Sequence, residues 1–155
     1  MEDYVYTLIQ QTRVNNSAIQ RQSAIELGKI GLSSHRKEAI RTLCTLLGSE
    51  DLGVRDAAEE ALIKIGGRDV MEALLPHVAS TSTTVVNYAI EILSKIGGAG
   101  IELIVRLLDS KDHDVRKFGC DILGNLGGVD YIYDLVELLN DPHINVAIAA
   151  GEALG

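Results

Sequence analysis

Apolar residues recur along this chain in two alternating kinds of segment. In the first kind they sit at a start position and at +4, +7, +8 and +11, as in Val54, Ala58, Ala61, Leu62 and Ile65. That spacing is one face of a 3.6-residue helix. The stretch Val54 to Gly66 reads VRDAAEEALIKIG, Val85 to Gly97 reads VVNYAIEILSKIG, and Val115 to Gly127 reads VRKFGCDILGNLG. Ile19 to Gly31, IQRQSAIELGKIG, is a looser copy, and VAIAAGEALG from Val146 is a shorter one. The starts Ile19, Val54, Val85, Val115 and Val146 lie 35, 31, 30 and 31 residues apart, with an insertion of four near Ser33 to Arg36.

The second kind of segment lies between the copies. It comprises Ala39, Ile40, Leu43, Leu46 and Leu47; then Val70, Leu74, Leu75 and Val78; then Ile101, Ile104, Val105, Leu107 and Leu108. Tyr131, Ile132, Leu135, Val136, Leu138 and Leu139 close the series. Each unit therefore reads as helix A, a short turn and helix B. The turns GSEDLG, ASTSTT, DSKDHD and NDPHIN supply N-caps, with Asp51, Ser82 and Asp112 each three residues before the first apolar residue of a helix B. The pairs Gly66/Gly67, Gly97/Gly98 and Gly127/Gly128 end the B helices. A lone hairpin of this kind leaves its apolar face uncovered, and stacked neighbours complete the core. The pattern predicts an all-α fold, a right-handed α-solenoid of about five two-helix repeats in one domain, 1–155. The units fall at about 1–31, 32–67, 68–98, 99–128 and 129–155, the last incomplete.

Composition agrees with helix-on-helix packing. Apolar residues are 46% of the 155, yet there are no Trp, one Phe and five Tyr, so the core is aliphatic. A net charge of −8 argues against a nucleic-acid backbone as partner, because that binding relies on clustered Lys and Arg. The N-terminus Met1, Glu2, Asp3, Tyr4 has no basic leader, and no apolar run approaches the ~20 residues of a membrane span. A soluble, cytoplasmic protein is expected. Cys44 and Cys120 have no partner at ligand spacing, so neither a disulfide framework nor a zinc site is read.

The motif Gly-Ser-x-Asp-x-x-Val-Arg at Gly48 to Arg55 and its counterpart Asp-Ser-x-Asp-x-x-Val-Arg at Asp109 to Arg116 each precede a helix ending in Ile/Leu-Gly-Gly. They resemble HEAT-like repeats of the short bacterial and archaeal, phycobilisome-lyase-like kind. The resemblance spans essentially the whole chain. It departs at Val86 and Ala147, where the family pattern favours Arg, and at Gln22, Ser23 and Glu26, where a core helix would carry Ala. The first repeat therefore reads as an N-terminal cap, with polar Gln10, Gln11, Thr12 and Arg13 on its first helix.

The resemblance implies that the B helices line a concave surface and that positions +2, +3, +6 and +10 face outward there. Those slots hold Asp56, Ala57, Glu60 and Lys64; Asn87, Tyr88, Glu91 and Lys95; Lys117, Phe118, Asp121 and Asn125. Glu60, Glu91, Asp121 and Glu152 form an acidic ladder, one rung per repeat. With helices about 8–10 Å apart, such rungs are too far from one another to share a calcium ion. Glu60 and Glu91 precede Lys64 and Lys95 by four residues, the favourable order for a weak helical pair. Tyr88 and Phe118 occupy equivalent slots and suit an interface anchor, or pack between repeats.

His113 and His143 fall in equivalent turns, about one repeat step apart, with no Glu or Cys at ligand spacing, so no metal is expected. Family members that bind iron do so through His-Glu dipeptides, and this sequence has none. No nucleophile signature is present either, and no cofactor is expected. The reading is a non-catalytic interaction scaffold that binds a basic or polar protein segment along the B-helix face. The alternative is a chromophore-lyase-like or chaperone accessory subunit, on fold analogy alone. The apolar Ile144, Val146, Ile148 and Leu154 at the end of the chain suggest a piece of a longer array or end-to-end self-association.

Overall fold

The computed structural model describes residues 2–30, 35–98 and 100–155. Gly31 and the first half of the insertion expected at Ser33 to Arg36 lie outside the described residues. Every regular element described is helical. The helices follow one another as α1 (Glu2–Gln11) and α2 (Ser17–Ile30), α3 (Arg36–Leu46) and α4 (Leu52–Ile65), then α5 (Gly67–Leu74) and α6 (Thr83–Ile96). After them come α7 (Ile101–Val105) and α8 (His113–Leu126), and α9 (Ile132–Leu138) and α10 (Ile144–Leu154). The odd helices are the A layer and the even ones the B layer of an α-solenoid.

The expected start signals operate. Asp51 Oδ1 accepts from Val54 N at 3.0 Å, Ser82 Oγ from Val85 N at 3.5 Å and Asp112 Oδ1 from Asp114 N at 2.9 Å. Each satisfies a backbone donor that the first helical turn leaves unpaired. The glycine pairs stop the helices. After α4 the backbone turns through φ 55° at Gly66 and 77° at Gly67, values a side chain with a Cβ resists.

Two A helices are shorter than their apolar pattern suggests. α5 passes into a 3-10 turn, Leu75–Ala79, because Pro76 lacks the N–H an α-helix needs. α7 likewise continues as the 3-10 turn Arg106–Asp109.

The core is aliphatic throughout. Leu27, Ile40, Leu43, Leu62, Leu74, Leu93, Ile104 and Leu123 are among the fully buried side chains, each stabilising the fold by about 1.5–3 kcal/mol relative to exposure. Among the described residues the one deeply buried aromatic, Tyr131, keeps its hydroxyl satisfied on the Leu123 carbonyl at 2.9 Å and that of Gly127.

Neighbouring B helices do not all approach equally. α2 lies closest on α4 and α10 on α8. In both places a glycine at +9 faces an alanine at +7 of the next repeat: a Cβ on Gly28 would stand 2.8 Å from Ala61 Cβ, and one on Gly124 3.0 Å from Ala153 Cβ. Between α4 and α6 the same register holds Ile63 and Ile92, and between α6 and α8 it holds Ser94 and Ile122. Side chains there keep the helices apart.

Four expectations need correction. Ile19, the start of the first copy, is 40% exposed rather than turned inward. Thr12, read as polar cap surface, is buried and satisfies its hydroxyl on the Ile9 carbonyl at 2.7 Å, while Ser23, at a position where a core helix would carry Ala, is buried too and bonds Gln11 Oε1 at 3.2 Å. Of the last A segment only Tyr131, just before α9, and Leu135 are buried, whereas Ile132, Val136 and, just after α9, Leu139 are exposed. Finally, the His113 and His143 rings stack with centroids 3.8 Å apart, because side chains of adjacent turns reach across the repeat step that separates their backbones.

Candidate functional site

The B layer presents α4, α6 and α8 side by side, and the structure places the expected residues on its surface as follows. Asp56, Glu60, Lys64, Asn87, Glu91, Lys95 and Asn125 are exposed, while Tyr88, Lys117, Phe118 and Asp121 are half-buried. Ala57, expected outside with them, is buried because α2 closes over that edge of α4.

Several of these residues join neighbouring repeats. The Tyr88 hydroxyl donates to Asp56 Oδ1 at 2.6 Å, tying α6 to α4, and the Arg55 guanidinium lies 6.0 Å over the Tyr88 ring. The hydrogen bond to Asp56 holds the phenol proton above its ordinary range. Phe118 packs against the core without a polar tether, and Lys117 Nζ stands 5.6 Å over its ring. Asn125 Nδ2 donates to Ser94 Oγ at 3.4 Å across α8 and α6.

The acidic ladder is not uniformly charged. Lys95 pairs with Glu91 at 2.7 Å and Lys117 with Asp121 at 2.7 Å, so the two middle rungs are compensated within their own helices. Among the described residues no ion pair joins Glu60 to Lys64, although the spacing favoured one, and Glu152 is also unpaired. The uncompensated acids are therefore the outer rungs, Glu60 and Glu152. Exposed pairs of this kind add little stability, about 0–1 kcal/mol each.

Sequence reasoning passed over two features. Glu59, one residue before the ladder position, accepts from Lys95 Nζ at 3.1 Å and so bridges α4 to α6; its partial burial raises its pKa despite that cation. A groove of about 450 Å³ also opens between α6 and α8, where Ile90 and Ser94 meet Asn125, flanked by Asn87 and Glu91. The signal for it was the +9 position, since Ser94 stands where Gly28 and Gly124 permit close approach. The face has charge, hydrogen-bonding groups and two aromatic edges, which suit recognition of an extended chain. Among the described residues no group of three or more His, Cys, Asp or Glu is arranged to hold a metal ion. No helix there is long and apolar enough to cross a membrane.

Comparison with known proteins locates the fold. The chain is similar to the complex of CpcE and CpcF of phycocyanin lyase from a Nostoc species, with 20% identity, TM-score 0.51, and coverage of 97% of this chain and 63% of that one. It is similar to human deoxyhypusine hydroxylase, solved in complex with glycerol, at 14% identity and TM-score 0.54, covering 97% and 83% of the two chains. An archaeal HEAT-like repeats protein from Thermococcus onnurineus gives 14% identity and TM-score 0.51, covering 99% and 70%. At these identities the likeness concerns the fold alone. Comparison with curated proteins gives no match. The family model described as HEAT repeats matches residues 5–94, more than half of the chain, and the chain belongs to the HEAT repeat family.

Proposed function

We propose that this chain is a non-catalytic interaction scaffold, one continuous repeat domain that binds a basic or polar protein segment along its B-helix face. The observation that carries the reading is the groove between α6 and α8, lined by Asn87, Ile90, Glu91, Ser94, Lys95 and Asn125, on a face that also carries the half-buried Tyr88 and Phe118. Aromatic edges within a polar rim concentrate binding energy, and the acids of the ladder select against acidic partners. Asp56, Glu60, Lys64, Asn87, Glu91, Lys95, Lys117, Asp121 and Asn125 form that rim. The test replaces Tyr88 and Phe118 together with Ala, after circular dichroism shows unchanged helicity. A partner retained from lysate by the native chain and lost by this variant supports the site, and equal retention removes it.

A second reading, an accessory subunit of a chromophore lyase, is supported by the shared fold with the phycocyanin lyase complex. Bilin added to the purified chain would then change its visible spectrum, and an unchanged spectrum dismisses this reading. Self-association is a further arm of the proposal, through Ile132, Tyr133 and Val136 of α9, Leu139 just after it, and Ile144 and Ile148 of α10, all exposed. Light scattering that stays at monomer mass over a wide concentration range rules it out.

A further inference from the structure

The A layer carries a groove that the B-face reading leaves unused. It runs between α3 and α5 and encloses about 500 Å³, within the ~300–1,000 Å³ typical of sites that hold a ligand. Ile40 and Cys44 of α3, both buried, give it an apolar floor. Ala73 and Pro76 line the opposite side.

The charges along it are unevenly matched. On the α5 wall both acids are engaged, Asp69 by Arg36 Nε at 3.0 Å and Glu72 by Arg68 Nε at 2.8 Å. On the α3 wall Lys37 and Arg41 are exposed, and among the described residues neither side chain has an ion-pair or hydrogen-bond partner. Four residues apart on one helix, their Cβ atoms are about 5–6 Å from each other. In a chain of net charge −8, two adjacent uncompensated cations above an apolar floor reverse the prevailing sign of the surface.

We propose that this groove docks an extended acidic segment of a partner protein. In an extended chain, alternate side chains lie on one side about 6.5–7 Å apart, close to the spacing of the two cations. Carboxylates two positions apart meet Lys37 and Arg41, and the intervening apolar side chain faces Ala73 and Pro76. The site is independent of the B face and of opposite sign, so the scaffold holds a basic partner on one layer and an acidic one on the other.

The test uses the full chain and a fluorescein-labelled peptide of alternating glutamate and leucine, read by fluorescence anisotropy at low salt. A saturable rise is expected, weakened by added salt because exposed charges are screened, with no rise for a lysine-leucine control. Lys37→Glu with Arg41→Glu should weaken binding at least tenfold, whereas Lys111→Glu, a charge reversal at an exposed residue of the turn before α8 that lines neither groove, should leave it nearly unchanged. If the charge reversal perturbs helicity, Lys37→Gln with Arg41→Gln serves instead and should also lose most of the affinity. Absence of a saturable rise, or equal affinity in the charge-removed variant, overturns the proposal. Light scattering in which the native chain dimerises and the Lys37/Arg41 variant does not would assign the groove to a second copy and overturn it as well. None of these outcomes bears on the Tyr88 and Phe118 site, which is tested separately.

Discussion

Arg116 grips Asp141 of the following repeat through two hydrogen bonds, Nε to Oδ2 at 2.7 Å and Nη2 to Oδ1 at 3.0 Å. The same guanidinium reaches back through Nη1 to the Ser110 carbonyl at 2.8 Å, so one side chain fixes its own turn and the next. Asp141 Oδ1 also accepts from His143 N at 2.8 Å. The arrangement is a charge-assisted staple between repeats, with the Asp141 side chain only 4% exposed.

Its pH dependence has a definite sign. The Arg116 hydrogen bond holds the Asp141 carboxyl below its ordinary value, so the folded state releases that proton more readily than the unfolded chain. The stabilisation is present above the ordinary aspartate value of about 3.9 and is lost as pH falls through the lower folded value. Asp141→Asn should therefore cost about 1.5–3 kcal/mol at neutral pH and much less in strong acid. Denaturant melts at several pH values check this, and a cost that does not shrink toward low pH refutes it.

Arg55 makes the same backward contacts as Arg116, donating from Nη1 to the Ser49 carbonyl at 2.6 Å and the Glu50 carbonyl at 3.0 Å. Its Nε, however, is buried without a partner. The position equivalent to Asp141 in the next turn is Ser80, whose Oγ accepts from Ser82 N at 3.1 Å. Ser80→Asp should keep that turn contact, engage Arg55 Nε and raise stability by about 1 kcal/mol. Thermal unfolding of Ser80→Asp, alone and combined with Arg55→Lys, is the check. The gain should disappear in the combined variant.

Most of the scaffold was legible because its signals are local. Helix periodicity, the caps Asp51, Ser82 and Asp112, and the Gly-Gly stops all act within a few residues. What escaped depends on pairs far apart in sequence. The His113 and His143 stack, the bridge from Lys95 to Glu59 and the bond from Tyr88 to Asp56 each join separate repeats, and no periodicity within one helix reports them. Both grooves arise in the same way, from how far one helix is held from the next.

The two thiols offer an independent probe of packing. Burial pushes the Cys44 thiol up to about 12 and the Cys120 thiol to about 11, so at neutral pH almost no thiolate is present to react. A disulfide reagent at pH 8 should label neither residue on the time scale in which a free small thiol is consumed, and should label both once the chain is unfolded in guanidinium. Fast labelling of the folded chain at Cys44 would mean that the floor of the α3–α5 groove opens readily.

Two glycine substitutions should act with opposite sign, although both replace glycine by alanine within a helix. On propensity alone the change favours the helix by about 0.8–1 kcal/mol. At Gly151 the new Cβ would meet only Leu139 Cδ2, at 3.7 Å, an ordinary contact, so Gly151→Ala should stabilise by nearly that amount. At Gly28 the new Cβ would stand 2.8 Å from Ala61 Cβ and 3.0 Å from Ala61 Cα. Neither atom ends a flexible side chain, so α2 and α4 must separate, at an overpacking cost of about 1–3 kcal/mol that outweighs the propensity gain. Ala61→Gly should restore most of what Gly28→Ala loses, because it removes the methyl that is struck. Equilibrium denaturation of the three variants decides the matter: equal stabilisation at both glycines would show that the α2 to α4 contact is not tight.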